Sequence, residues 1–142
     1  MSIEAIYTAE STATGGGRDG HVKSSDGRLD LETRPPKALG GSGEGTNPEQ
    51  LFSAGYAACF LSALRLVAGK ARVKLPEATE VTVKIGIGRT AEGGFGLTGD
   101  ILATLPGLEQ NDADDLVHQA HRVCPYSNAT RGNVDIAVAV KV

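Results

Sequence analysis

Two cysteines, Cys59 and Cys124, are the residues of this 142-residue chain best suited to nucleophilic or redox chemistry. In a cytoplasmic protein such a pair is catalytic, redox-active or metal-binding more often than a permanent disulfide, and two unrelated buried thiols are the other reading. The attacking species is the thiolate, so an active cysteine in an apolar setting needs a cation or hydrogen-bond donor to hold its charge. Arg65, six residues beyond Cys59, sits about 240° round a helix from it and does not serve. Arg18 is a better source, because it lies in the glycine-flanked turn Gly16-Gly17-Arg18-Asp19-Gly20. Glu49 is suited to anchor its guanidinium in a two-bonded pair. Read alone, Arg18 and Glu49 are a loop charge and a helix-start acid. His118, His121 and Cys124 recur at steps of three, but His118 and Cys124 are about 240° apart on a helix, so no metal is expected.

The elements that must position these residues follow from the pattern. Residues 3–12 read as a strand, broken at Gly15-Gly16-Gly17, and Ser25-Asp26-Gly27 marks a turn before a strand over 28–32. Pro35-Pro36 and Gly40-Gly41-Ser42-Gly43 form an extended approach to a helix. Asn47 caps that helix, Pro48 suits its first position and Gln50 suits a capping box. The apolar run LFSAGYAACFLSALRLVA continues to about Ala68, with Gly69 as its stop. Cys59 therefore sits mid-helix in a segment that belongs at the centre of the structure. Alternation at 81–87 and 95–105 around Glu92-Gly93-Gly94 predicts an antiparallel hairpin. A second helix is expected from about Asp112 to Val123 with Asn111 as cap, its histidines on a solvated face. Cys124 would end it, pointing inward where Pro125 stops the helix. The negative end of the dipole there disfavours a thiolate and suits a resolving thiol. A last strand runs through Val134 to Val142. The fold class is α+β, with helices packed on antiparallel sheet.

Composition bounds the partners. Hydrophobic residues are 40% and charged residues 22%, which fits a single globular domain over 1–142. Aromatics are 4% with no Trp, so the core is aliphatic. The net charge is −3 and no Lys or Arg adjoins another, so nucleic acid is not an expected partner. MSIEAIYTAEST lacks the pattern of a secretory signal, and the 51–68 run contains Arg65, so a buried helix in a cytoplasmic protein is expected, not a membrane span.

GTNPEQLFSAGYAACF (45–60), VCPYSNATRGNV (123–134), TGGGRDG (14–20) and SSDGRLDL (24–31) together resemble the organic hydroperoxide resistance family of the OsmC superfamily. The resemblance extends over essentially the whole chain. It implies that Cys59 is the peroxidatic cysteine, Cys124 the resolving cysteine, Arg18 the arginine that holds the thiolate, and Glu49 its partner. It implies an intertwined homodimer in which two antiparallel sheets wrap two central helices, with each active site at the subunit interface. It further implies reduction of alkyl and fatty-acid hydroperoxides, with no bound cofactor. The implied external reductant is dihydrolipoamide or a lipoylated protein. Phe52, Phe60 and Leu61 are candidates for the wall that receives an alkyl tail. A peroxide sensor or a hydrophobic-ligand carrier on the same fold is the alternative.

Overall fold

The computed structural model describes residues 2–142. They divide into two compact units, one ending at Leu51 and the other covering Phe52–Val142.

In the first unit, β1 (Ser11–Gly15), β2 (Gly20–Ser24) and β3 (Asp30–Thr33) form an antiparallel sheet in that order. The β1–β2 turn is the glycine-rich segment that carries Arg18, and its ends meet at the pair Gly15 and Gly20. The expected strand over 3–12 is realised only from Ser11. Beyond the bond that the Ser25 N–H donates to the Glu10 carbonyl, residues 2–10 form no strand, and they leave Ile3, Ile6 and Tyr7 exposed. A strand requires a partner ladder as well as a favourable sequence.

Helix α1 (Pro48–Lys70) starts where the cap signals place it, with the Asn47 side-chain oxygen accepting the Gln50 backbone N–H at 2.9 Å. The Gln50 side chain takes a hydrogen bond from the Thr46 hydroxyl. The helix runs through Gly69 and stops when Arg72 turns into the left-handed region at φ 58°. Among the described residues α1 is long and apolar enough, by length and composition only, to cross a membrane. Its residues Tyr56, Phe60, Ala63, Leu64, Val67 and Ala68 are instead buried in the core of the second unit. Its opposite face, with Ala54, Ala58, Ser62 and Leu66, is exposed.

The second unit is built on β4 (Glu80–Arg89), β5 (Phe95–Thr104) and β6 (Ile136–Lys141). Strands β4 and β5 form the expected hairpin. Val83 faces Ile101, which faces Val138 on β6, and Val81, Ala103 and Val140 form a second row beside it. These rows pack against α1 side chains and against Ala113, Leu116, Val117 and Ala120 of α2 (Gln110–Val123). Burying one large aliphatic side chain such as Leu64 contributes roughly 1.5–3 kcal/mol.

Three features of the second unit differ from the expected pattern. Strand β6 is parallel to β5, so this sheet is mixed. The chain leaves β5, crosses through α2 and returns in the same direction, as parallel neighbours require. Helix α2 begins two residues early, capped by Glu109 in extended conformation. Pro125 ends α2 but also opens a further short helix, α3 (Pro125–Thr130), because proline is well tolerated at a first helical position. The sheets and the two long helices still make an α+β fold.

Candidate active site

Cys59 and Cys124 meet in the second unit. Cys59 sits in the middle of α1 and is partly buried, while Cys124 is fully buried at the junction of α2 and α3. Both thiols are free, and the Cys124 S–H is directed at Cys59 Sγ over 3.8 Å. A disulfide requires about 2.05 Å between sulfurs, so closing the gap takes a shift of under about 2 Å.

Burial pushes the Cys59 thiol above its ordinary range, and the Cys124 thiol adds to that. The backbone N–H of Tyr126, in the first turn of α3, donates to Cys59 and opposes the rise. Within its own unit the balance favours the protonated thiol, so an active Cys59 needs further help from a cation. Cys124 closes α2 and also stands at the entrance to α3, so it faces a helix end of each sign.

Arg18 and Glu49 meet in the first unit. Arg18 Nη1 donates to Glu49 Oε2 at 3.0 Å and Nη2 donates to Oε1 at 2.8 Å. The fork fixes the guanidinium plane, which a single contact would leave free to rotate. Glu49 is held below the usual carboxylate range by these bonds, against the opposing effect of burial. The side chain of Arg18 is 44% exposed and that of Glu49 is 12% exposed. One edge of the guanidinium is committed to Glu49, and the remainder is available to a second anion. Glu49 lies in the first turn of α1, the helix that carries Cys59.

An aromatic cluster surrounds Tyr126. Its ring lies edge-on to Phe52 at 6.1 Å and tilted against Tyr56 at 5.6 Å. Gly55 permits this approach, since a Cβ there would stand 2.8 Å from the Tyr126 hydroxyl. Phe52 and Leu61 are partly buried against the core. Phe60 is fully buried, with its ring 6.3 Å from that of His121.

A polar network joins α1, α2 and α3. The Tyr56 hydroxyl is 2.8 Å from Ser127 Oγ and 3.2 Å from Thr130 Oγ1, and Ser127 Oγ is 2.8 Å from His121 Nδ1. Burial, then the charge of Arg131 and of His118, holds His121 below its ordinary range. The Tyr56, Ser127 and Thr130 hydroxyls and the His121 ring thus share one hydrogen-bonded chain. Arg131 donates to the His121 carbonyl and to the Asn128 side chain. His121 is thus partly buried and engaged, not the solvated dipole partner expected.

Residues 41–139 match the family described as OsmC-like protein. Over 138 residues the chain is 48% identical to the organic hydroperoxide resistance protein of Xanthomonas axonopodis pv. citri, covering 96% of each sequence. The chain belongs to the organic hydroperoxide resistance family. The crystal structure of an organic hydroperoxide resistance protein from Legionella pneumophila is 50% identical and superposes with a TM-score of 0.92, covering 98% of this chain and 100% of that one. The corresponding protein from Elizabethkingia anophelis gives 52% identity and the same TM-score of 0.92, over 98% of this chain and 99% of that one.

The family's sequence motifs contain residues whose individual roles were not read in advance. In the 124–133 segment Ser127 and Thr130 are buried anchors, and Tyr126 supplies both a backbone donor and a ring. Tyr56 is a hydroxyl inside an apolar helix run, and that contrast was the available signal. Ser127 and Thr130 had none, because the Tyr56 hydroxyl that joins them lies 71 and 74 residues away in the chain.

Proposed function

We propose that this chain is a thiol peroxidase that reduces organic hydroperoxides to alcohols. The observation that carries the reading is the approach of Cys124 to Cys59, both free, within a fold shared with organic hydroperoxide resistance proteins.

In this reading the Cys59 thiolate attacks the terminal peroxide oxygen. The S–O bond forms as the O–O bond breaks, leaving a sulfenic acid and an alkoxide that takes up a proton as the alcohol. Arg18, oriented by Glu49, holds the thiolate and the charge moving onto the departing oxygen. The need for that cation is what the raised Cys59 thiol expresses. Cys124 then attacks the sulfenic sulfur, giving the Cys59–Cys124 disulfide and water. A dithiol such as dihydrolipoamide, free or on a lipoylated protein, reopens the disulfide by exchange and leaves as its own cyclic disulfide. No bound cofactor takes part. The cytoplasm is the proposed compartment, since it keeps both thiols reduced between cycles.

Phe52, with Tyr126 beside it, supplies the apolar wall for an alkyl tail, Leu61 extends it, and Phe60 packs behind. The working unit is proposed to be a homodimer of intertwined chains. The exposed face of α1 and the unpaired apolar arm bearing Ile3, Ile6 and Tyr7 support a second copy as the cover for both. Sedimentation at micromolar concentration tests this, and a monomer would contradict it.

The test of the activity is peroxide consumption with dihydrolipoamide as donor. Rapid turnover of an alkyl hydroperoxide and much slower turnover of hydrogen peroxide are expected. Loss of neither peroxide would remove the reading.

A further inference from the structure

Arg18 lies on a turn rich in glycine, yet the turn is fastened on both sides of it to one buried side chain. The Thr33 hydroxyl accepts the backbone N–H of Gly20 at 2.9 Å and donates to the carbonyl of Gly17 at 2.7 Å. Thr33 closes β3 and is 1% exposed. Arg34 reinforces the fastening, donating through Nη1 to the carbonyls of Gly20 and Thr33 and standing 3.4 Å from the Asp19 carboxylate. Gly20 admits no side chain, because a Cβ there would meet the Thr14 carbonyl at 2.1 Å.

The same strand end holds the approach to Glu49. Thr33 bridges to Thr46, the Thr46 N–H donates to the Glu32 carbonyl and the Arg34 N–H donates to the Thr46 carbonyl. Asn47, the next residue, caps α1. The end of β3 is therefore the common support of the arginine turn and of the helix start that presents its carboxylate partner.

We propose that Thr33 is a positioning residue for Arg18: its hydroxyl, bonded to Gly17 and Gly20, fixes the turn so that the guanidinium meets Glu49 and is presented to the thiolate. This rests on the reading of Arg18 as the cation that serves Cys59. A turn with this much glycine has many accessible conformations, and an unfastened arginine would spend much of its time elsewhere.

Thr33→Val keeps the β-branched shape and removes both bonds, while Thr33→Ser keeps the hydroxyl. In full-length protein, rapid-mixing oxidation of Cys59 by an alkyl hydroperoxide should slow roughly 10- to 100-fold in Thr33→Val. The pH midpoint for alkylation of Cys59 should rise in the same variant, and Thr33→Ser should restore both. Placed on Arg18→Ala, Thr33→Val should cause no further slowing, because the two act in series. A wild-type rate in Thr33→Val beside a slow Arg18→Ala would overturn the proposal and leave the role of Arg18 standing. Equal slowing in both backgrounds would overturn it too, marking Thr33 as a general structural residue. A wild-type rate in Arg18→Ala would remove the reading beneath it, and the proposal with it. Hydrogen exchange on the unaltered reduced protein gives a check that needs no variant to fold. The Gly20 amide should be protected like the strand amides of β2, and exchange at the rate of an open loop would contradict the fastening.

Discussion

The sulfur of Cys124 stands 3.8 Å from that of Cys59, although 65 residues separate them and they belong to different helices. The contact joins the middle of α1 to the junction of α2 and α3, so the two thiols meet only when the core of the second unit is formed. Their burial differs, with Cys124 enclosed and Cys59 only partly so. That asymmetry suits the proposed division of labour, in which the outer thiol meets the substrate and the inner one resolves.

Replacement of the two cysteines should therefore give unlike outcomes. Cys59→Ser should abolish peroxide consumption and leave Cys124 reduced. Cys124→Ser should permit one oxidation of Cys59 and then stall, with progression to the sulfinic acid under excess peroxide. Turnover assays with intact mass measurement check both. Normal cycling by either variant would contradict the assignment.

The guanidinium fork predicts graded effects at Arg18 and Glu49. Arg18→Ala should slow Cys59 oxidation by roughly 10²–10³-fold, the scale on which loss of one preorganised charge partner falls. Glu49→Gln keeps the size and one acceptor while losing the charge, so a smaller loss of about tenfold is expected. Stopped-flow oxidation by an alkyl hydroperoxide reads both. An equal or larger effect of Glu49→Gln would mean that Glu49 acts other than through Arg18.

Two histidines should titrate on opposite sides of the ordinary value of 6.5. His21 is raised by hydrogen bonds to Glu32 and then Asp30, at 2.7 Å and 2.5 Å. Its charged pairing adds stability that is full below 6.5 and disappears as pH rises through its folded value. His121 is lowered by burial, so its contribution is full above 6.5 and is lost as pH falls towards its folded value. NMR titration of the imidazole signals checks the order. A higher midpoint for His121 than for His21 would contradict the hydrogen-bond arrangement around both.

Removal of the Ser127 hydroxyl should destabilise the protein without touching either sulfur. Ser127→Ala leaves Tyr56 and His121 short of a partner inside the core, at a cost of about 1–3 kcal/mol. Urea denaturation should show a lower midpoint with an unchanged slope. A wild-type midpoint would mean that water replaces the hydroxyl.

What could be read in advance was local. The Asn47-Pro48 start, the hairpin around Gly93 and the central run of α1 follow from caps, turns and periodicity within a few residues. The direction of β6 did not, because alternation in Val138 and Val140 is the same in parallel and antiparallel ladders. Residues 3–10 read as strand because their side chains suit one, yet pairing is a property of neighbours. Within the site, Cys59 and Cys124 are visible as residue types, whereas Arg18 and Glu49, read alone, are a loop charge and a helix-start acid, and the family resemblance is what pairs them. Thr33 gave no signal, since a threonine at a strand end is ordinary and only the returning turn gives its hydroxyl two partners.

The most direct test of the central claim is a single-turnover oxidation of the fully reduced protein with one equivalent of an alkyl hydroperoxide, followed by intact mass and peptide mapping. Stoichiometric alcohol, loss of two hydrogen atoms per chain and a Cys59–Cys124 cross-link within the same chain are expected. Unreacted thiols, or oxygen added at Cys59 with Cys124 left as a free thiol, would contradict the account.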